Sequence, residues 1–144
     1  MPAERVKPRD SSGLGEFASK VDCSCVRLYR EPGGWAGLVR RAVLAASRNR
    51  AIALGNHVFL PDRCCHDPAV LAHELTHCGQ YQAWGPVKYF ARGAWTQLRE
   101  LLHRATGIGS SPYEYRIEPG KKFEDYGMEQ QAQIVEDRFR GRQA

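Results

Sequence analysis

Residues 67 to 86, DPAVLAHELTHCGQYQAWGP, carry both ends of one helix in their own letters. Asp67 is suited to cap a helix that opens on Pro68, whose missing amide proton costs nothing at the first helical position, and Gly85-Pro86 stops it. Any fold of this chain is therefore built round a helix from residue 68 to about 84. Inside it His73 and His77 are four apart, with Glu74 directly after the first. At about 100° per residue the two imidazoles project from nearly the same face, one turn apart, and Glu74 stands beside them. Imidazoles so placed reach one ion at the zinc–nitrogen distance of about 2.0–2.1 Å. A glutamate in that position contacts a water held by the ion, the general-base place of an H-E-x-x-H site. The same helix carries Ala72, Thr76, Gly79 and Ala83 as a small-residue stripe, against which another element can pack closely on the side away from the histidines.

Around this helix the periodicity predicts a small α+β domain. VDCSCVRLY reads as a short strand. Trp35 to Ser47 reads as a helix with Leu38, Val39, Ala42, Val43 and Ala46 inward and Arg40 and Arg41 outward. AIALGNHVFL is a hairpin turning at Gly55-Asn56. A long helix from Pro86 to Ala105 puts Val87, Phe90, Ala94, Leu98, Leu101 and Ala105 on one face and ends at Gly107. GIGSSPYEYRIEPGKK is a loop, briefly extended over 113 to 117. Asp125 is the expected cap of a last helix running to Phe139, with Met128, Ala132, Val135 and Phe139 as its core stripe. The fold class expected is a mostly helical α+β single domain, residues 21 to 144, with a small β-hairpin or sheet packed on the histidine-bearing helix. Residues 1 to 20, rich in Pro, Ser and Gly, read as a flexible lead-in.

Composition removes several alternatives. With 144 residues the chain is one domain in size, and no apolar run approaches the ~20 residues of a membrane span. The first residues lack the apolar core of a secretory signal peptide. A net charge of +5 suits an acidic partner, but the basic residues are scattered, with clusters only at Arg40, Arg41, Arg48, Arg50 and at Arg138, Arg140, Arg142. Nucleic-acid binding is therefore disfavoured. Cys23, Cys25, Cys64, Cys65 and Cys78 fit neither a zinc ribbon nor an even disulfide set. In an oxidising compartment the first two pairs could bridge; in a reducing one they are small buried thiols.

Zinc requires a third protein ligand. A metzincin continuation needs glycine at position 80 and histidine at 83; the chain has Gln80 and Ala83, which excludes that class. A carboxylate from a later helix remains. Glu129 fits, near the start of the last helix and beside its buried stripe; Glu114, His103 and Glu136 are the alternatives.

LAHELTHCGQYQ, then PYEY, then FEDYGMEQQAQIVEDRF resemble zinc metallopeptidase-like domains of bacterial toxin and contractile-injection cargo proteins, including C-terminal extensions of type VI secretion spike proteins. The likeness covers roughly residues 50 to 140. Its most specific parts are the HELTH helix with Gln80-Tyr81-Gln82 and the block from Asp125 to Asp137. The resemblance implies a minimal zincin-like fold with a gluzincin-like centre, zinc on His73, His77 and Glu129, and Glu74 as catalytic base. Cys78 and the Cys64–Cys65 pair depart from it.

The activity expected is zinc-dependent endopeptidase action, in which Glu74 deprotonates a water acidified by Zn2+ and later protonates the leaving amine. Tyr115 is the expected oxyanion partner, ahead of Tyr113, Tyr126 and His103. Gln133, Glu136 and Asp137 are the expected orienting groups for the ring nitrogens that face away from zinc, and the hairpin edge is an expected place for an extended substrate. The expected partners are a protein or peptide substrate and an immunity or inhibitor protein. The expected location is the bacterial cytoplasm before secretion or injection into a target cell. The competing expectation is a zinc-stabilised binding module without turnover.

Overall fold

In chain order the elements are β1 (Glu4–Arg5), β2 (Arg27–Tyr29), α1 (Gly34–Ala46), β3 (Ile52–Leu54), β4 (His57–Phe59), α2 (Pro68–Trp84), α3 (Pro86–Thr106) and α4 (Met128–Phe139). They come from a computed structural model that describes residues 4–8, 10, 11, 14, 15, 17 and 20–141. The class is α+β, mostly helical, with one four-stranded sheet in the order β1-β2-β4-β3. β3 and β4 form the expected antiparallel hairpin. Its turn needs a left-handed residue, supplied by Gly55 at φ 66°, and a side chain there would press on the Tyr81 ring of α2 at 3.1 Å. β2 runs parallel to β4, pairing Leu28 with Val58, and both side chains are fully buried against α2. The strand expected over residues 21 to 29 is thus confined to its last three residues, because Cys23–Cys25 form a tight turn capped by Asp22.

α2 begins and ends where its signals predict. Asp67 accepts hydrogen bonds from the amides of Ala69 and Val70, and Gly85 closes the helix at φ 83°. The helix is buried on most of its circumference. Leu71, Leu75 and Cys78 belong to the main core with Val26, Leu28, Val58 and Leu60. Gly79 is approached by the Lys20–Val21 segment so closely that a Cβ would stand 2.9 Å from Val21 Cγ2 and 3.0 Å from the Lys20 carbonyl oxygen. That approach is the use to which the small-residue stripe is put.

The polar beginning of the chain is less detached than its composition predicts. Glu4 and Arg5 pair antiparallel with β2, and Arg30 holds Glu4 at 2.9 Å and Asp10 at 3.5 Å. Leu14 and Phe17 are buried in the core, Phe17 stacking on Phe123 with ring centroids 4.4 Å apart. Two apolar side chains three residues apart suffice to bind a segment whose average composition is polar.

Three helical expectations need correction. In α1 the inward residues are Gly37, Arg40 and Leu44, and Leu38 is exposed. Arg40 lies inside because its Nε donates to the Leu60 carbonyl at 2.9 Å and its Nη2 to Asp62 at 2.8 Å, which satisfies the buried guanidinium. α4 starts at Met128, not at Asp125: Asp125 closes a separate turn by accepting from the Lys122 amide, and Gln130 accepts the Gly127 amide at 2.8 Å. Phe139 is exposed, so the core stripe of α4 runs through Ala132, Ile134 and Val135. In α3 the apolar face faces solvent, and the helix packs inward through Tyr89 and Thr96. All five cysteines are free thiols. Burial pushes the Cys78 thiol far up, with the Glu74 carboxylate adding to it, so Cys78 fills space as an unreactive apolar group.

Candidate metal centre

α2 presents His73 and His77 toward the first turn of α4, and Glu129 completes the group. The ligand atoms of these three side chains all lie within 4.8 Å of one another. His77 Nε2 is 3.0 Å from one Glu129 oxygen and His73 Nε2 3.5 Å from the other, so one carboxylate faces both imidazoles. Glu74 is buried beside them and lines the same cleft.

Hydrogen bonding fixes which nitrogen of His77 is free. Gln80 Nε2 donates to the Met128 carbonyl at 2.9 Å and to Gln131 Oε1 at 3.1 Å. A carbonyl only accepts, so the Gln80 amide is oriented with its oxygen 2.8 Å from His77 Nδ1. Nδ1 therefore carries a proton, and Nε2, which faces Glu129, is the ring nitrogen available to an ion. Gln131 is fixed in turn by donating to the Tyr126 carbonyl at 2.9 Å.

His73 is less fully satisfied. Its Nδ1 faces Glu136 Oε1 at 3.1 Å, close enough for an ion pair when the ring is protonated but short of good hydrogen-bond geometry. Glu136 is itself held by Arg140, 3.2 Å away, which also reaches Asp67, the cap of α2, at 2.8 Å. Two imidazoles and a carboxylate converging on one point, in a cleft open to solvent, are the donor set of a three-ligand zinc site. The residues present fit such an ion.

Three comparisons bear on this arrangement. Residues 16–85 match the model of the eCIS core domain, a span that includes both histidines and stops short of Glu129. The chain is 30% identical over 140 residues to the type VI secretion system spike protein VgrG2b of Pseudomonas aeruginosa, an alignment covering 90% of this chain. It spans 12% of that relative's length. Among solved structures it is similar to the effector domain of P. aeruginosa VgrG2b, with a TM-score of 0.64 and 26% identity, over 98% of this chain and 75% of the other. The likenesses support a secretion-system cargo or effector domain. They cover more of the chain than residues 50 to 140, the family model alone beginning at residue 16.

The cleft has a volume of about 670 Å³. β3, an edge strand of the sheet, forms one wall, Gly93 and Ala94 of α3 form another, and the exposed Arg48 and Arg50 also line it. Tyr113 lines it, its hydroxyl accepting from Gln97 at 2.8 Å. Tyr115 is not brought to the group: its hydroxyl donates to Asp137 at 2.7 Å. Gln133 donates to that same Asp137, so neither residue orients an imidazole. Tyr126 accepts from the Glu118 amide, His103 lies 3.4 Å from the Ile108 carbonyl, and Glu114 is exposed. Of the expected alternatives only Glu136 reaches a histidine. Gln80 and Gln131 were not anticipated. The available signal was Gln80 three residues after His77, on the same helical face.

Gln80→Leu is expected to lower metal affinity about 10- to 100-fold, the usual consequence of losing an orienting partner. Competition with a chromophoric chelator measures it, and an unchanged affinity would show that Gln80 is only structural.

The ionisable groups are strongly coupled. Burial alone would make His73 less basic, but the Glu129 and Glu136 carboxylates outweigh it and lift its pKa to about 10. His77 is raised in the same way, with Glu129 overcoming burial. Burial raises Glu129, and the two imidazoles reverse this and hold it well below the carboxylate range. Glu74 is raised, burial outweighing the attraction of both histidines. For the metal-free protein the sign follows directly. The His73 contribution is complete below its unfolded value near 6.5 and is lost as pH rises through about 10. Thermal melts of chelator-treated protein should show stability falling between those limits, by on the order of a few kcal/mol. A flat profile would show that the imidazole–carboxylate contacts carry no net stability.

Proposed function

We propose that the chain is a zinc-dependent peptidase domain of a secretion-system effector. The observation that carries this reading is the convergence of His73, His77 and Glu129 at one end of a cleft walled by an edge strand, with Glu74 alongside. His73, His77 and Glu129 would hold the zinc ion, which would supply polarisation of a substrate carbonyl and acidity to a water. Glu74 takes a proton from the attacking water onto its carboxylate and delivers it to the nitrogen of the departing amine. Gln80 holds His77 in the tautomer that leaves Nε2 available. β3 is the edge along which an extended peptide would lie, its Ala53 carbonyl already accepting the Tyr89 hydroxyl, and Tyr113, at the cleft wall, is better situated than Tyr115 to donate to the developing oxyanion. The relationship to a spike-protein effector domain supports delivery by a contractile apparatus.

The test is metal content together with turnover. Purified protein should carry about one zinc per chain and cleave an unstructured protein substrate. Removing the metal with a chelator should abolish cleavage, and adding zinc back should restore it. Stoichiometric zinc with no cleavage across a peptide library would sink the peptidase reading and leave a metal-stabilised module.

A further inference from the structure

α3 is oriented against its own amphipathic pattern. The face turned to the protein carries Tyr89, Gly93, Thr96, Glu100 and His103, while the opposite face is apolar and exposed. Val87 is 84% exposed, Trp95 59% and Leu101 64%, with Phe90, Leu98 and Leu102 beside them. By helical spacing Lys88, Arg92 and Arg99 line one edge of this stripe and Arg104 the other. Lys88 and Arg92 lean over the Trp84 ring, and among the described residues neither they nor Arg99 is in an ion pair. The acid on the helix, Glu100, is already held by Arg104 at 2.7 Å and by Ser111.

We propose that α3 is a docking helix for an anionic lipid surface, lying in the plane of the interface. Trp, Phe and Leu on one face with Lys and Arg along its borders are the make-up of an interfacial helix, whose apolar face enters the boundary between headgroups and acyl chains while the cations meet anionic headgroups. At about 30 Å long the helix has the length of a membrane span, but its charges forbid crossing, and no helix in the described residues is long and apolar enough to do so. Charge complementarity separates this occupant from others. Two copies packed through the stripe would bring their cationic borders together. A nucleic acid could stack on Trp95 and Phe90 but would leave Leu98, Leu101 and Leu102 uncovered. Docking is tested apart from peptide hydrolysis at Arg92, Leu98, Arg99 and Leu102, which neither belong to the metal centre nor line its cleft.

The experiment uses the full chain and vesicles of phosphatidylcholine with or without phosphatidylglycerol, read by co-sedimentation and by quenching of tryptophan emission with brominated acyl chains. Phosphatidylglycerol vesicles should bind the protein at least about tenfold better than neutral ones, with affinity falling as salt rises. Arg92→Gln with Arg99→Gln should weaken binding by about 10- to 30-fold. Leu98→Asp with Leu102→Asp should abolish it. These positions are exposed, so both variants should melt like the parent, and Trp95→Phe should remove most of the quenching signal without preventing sedimentation. No preference for anionic vesicles, or binding that survives Leu98→Asp/Leu102→Asp, overturns the proposal. A concentration-dependent dimer abolished by that variant, without vesicle binding, also overturns it and assigns the face to a second copy. Salt-sensitive binding to an oligonucleotide but not to vesicles overturns it in favour of nucleic acid.

Discussion

Glu74→Gln is expected to lower the rate of peptide hydrolysis about 10³-fold, within the 10²- to 10⁴-fold range of general acid–base catalysis, while zinc content and melting temperature stay close to the parent's. An amide has nearly the carboxylate's shape but cannot take up the proton of an attacking water. The ligand atoms of His73, His77 and Glu129 are untouched by the change. Because Glu74 is buried, fold and metal have to be measured alongside activity: a variant that loses all three says nothing about catalysis. Full activity in a folded, zinc-replete Glu74→Gln protein would remove Glu74 from the mechanism.

The second large effect concerns the third ligand. Glu129→Ala is expected to weaken zinc binding by more than about 100-fold, beyond what loss of an orienting group causes, because a direct ligand disappears. The same substitution strips both imidazoles of the carboxylate that faces them at 3.0 and 3.5 Å. The metal-free variant should therefore show a smaller alkaline stability transition than the parent, since one of the two carboxylates that raise the His73 pKa is gone while Glu136 remains. Isothermal titration with zinc and pH-dependent melts read the two consequences separately. Parent-like zinc affinity in Glu129→Ala would transfer the ligand role to Glu136, whose carboxylate is 3.1 Å from His73 Nδ1.

What was legible in the sequence was what depends on local spacing. His73, Glu74 and His77 share a helix, and the Asp67 and Gly85 signals marked that helix at both ends. Glu129 was legible only as one carboxylate among several, because its approach to the histidines depends on how α4 docks on α2. Nothing local separates Tyr113 from Tyr115, two tyrosines two residues apart in a loop; what distinguishes them is their partners, Gln97 for the first and Asp137 for the second. The helical pattern puts Arg40 outside because charge usually stays in water, and it lies inside because the Leu60 carbonyl and Asp62 satisfy it. α3 shows the limit of amphipathic periodicity. The pattern finds the apolar face, but which side turns toward the rest of the protein was decided by the fit of Tyr89 and Gly93 against their neighbours, with the Tyr89 hydroxyl bonded to the Ala53 carbonyl at 2.8 Å.

The amide chain from Tyr126 through Gln131 and Gln80 to His77 joins two properties that are usually measured apart. The contacts that select the His77 tautomer are also polar contacts that fasten the start of α4 to α2. By thermodynamic reciprocity, whatever metal binding contributes to the docking of α4, docking contributes equally to metal binding. Substitutions far from the ion that loosen α4 will then appear as metal loss, and zinc affinity becomes a gauge of how firmly the two helices are joined.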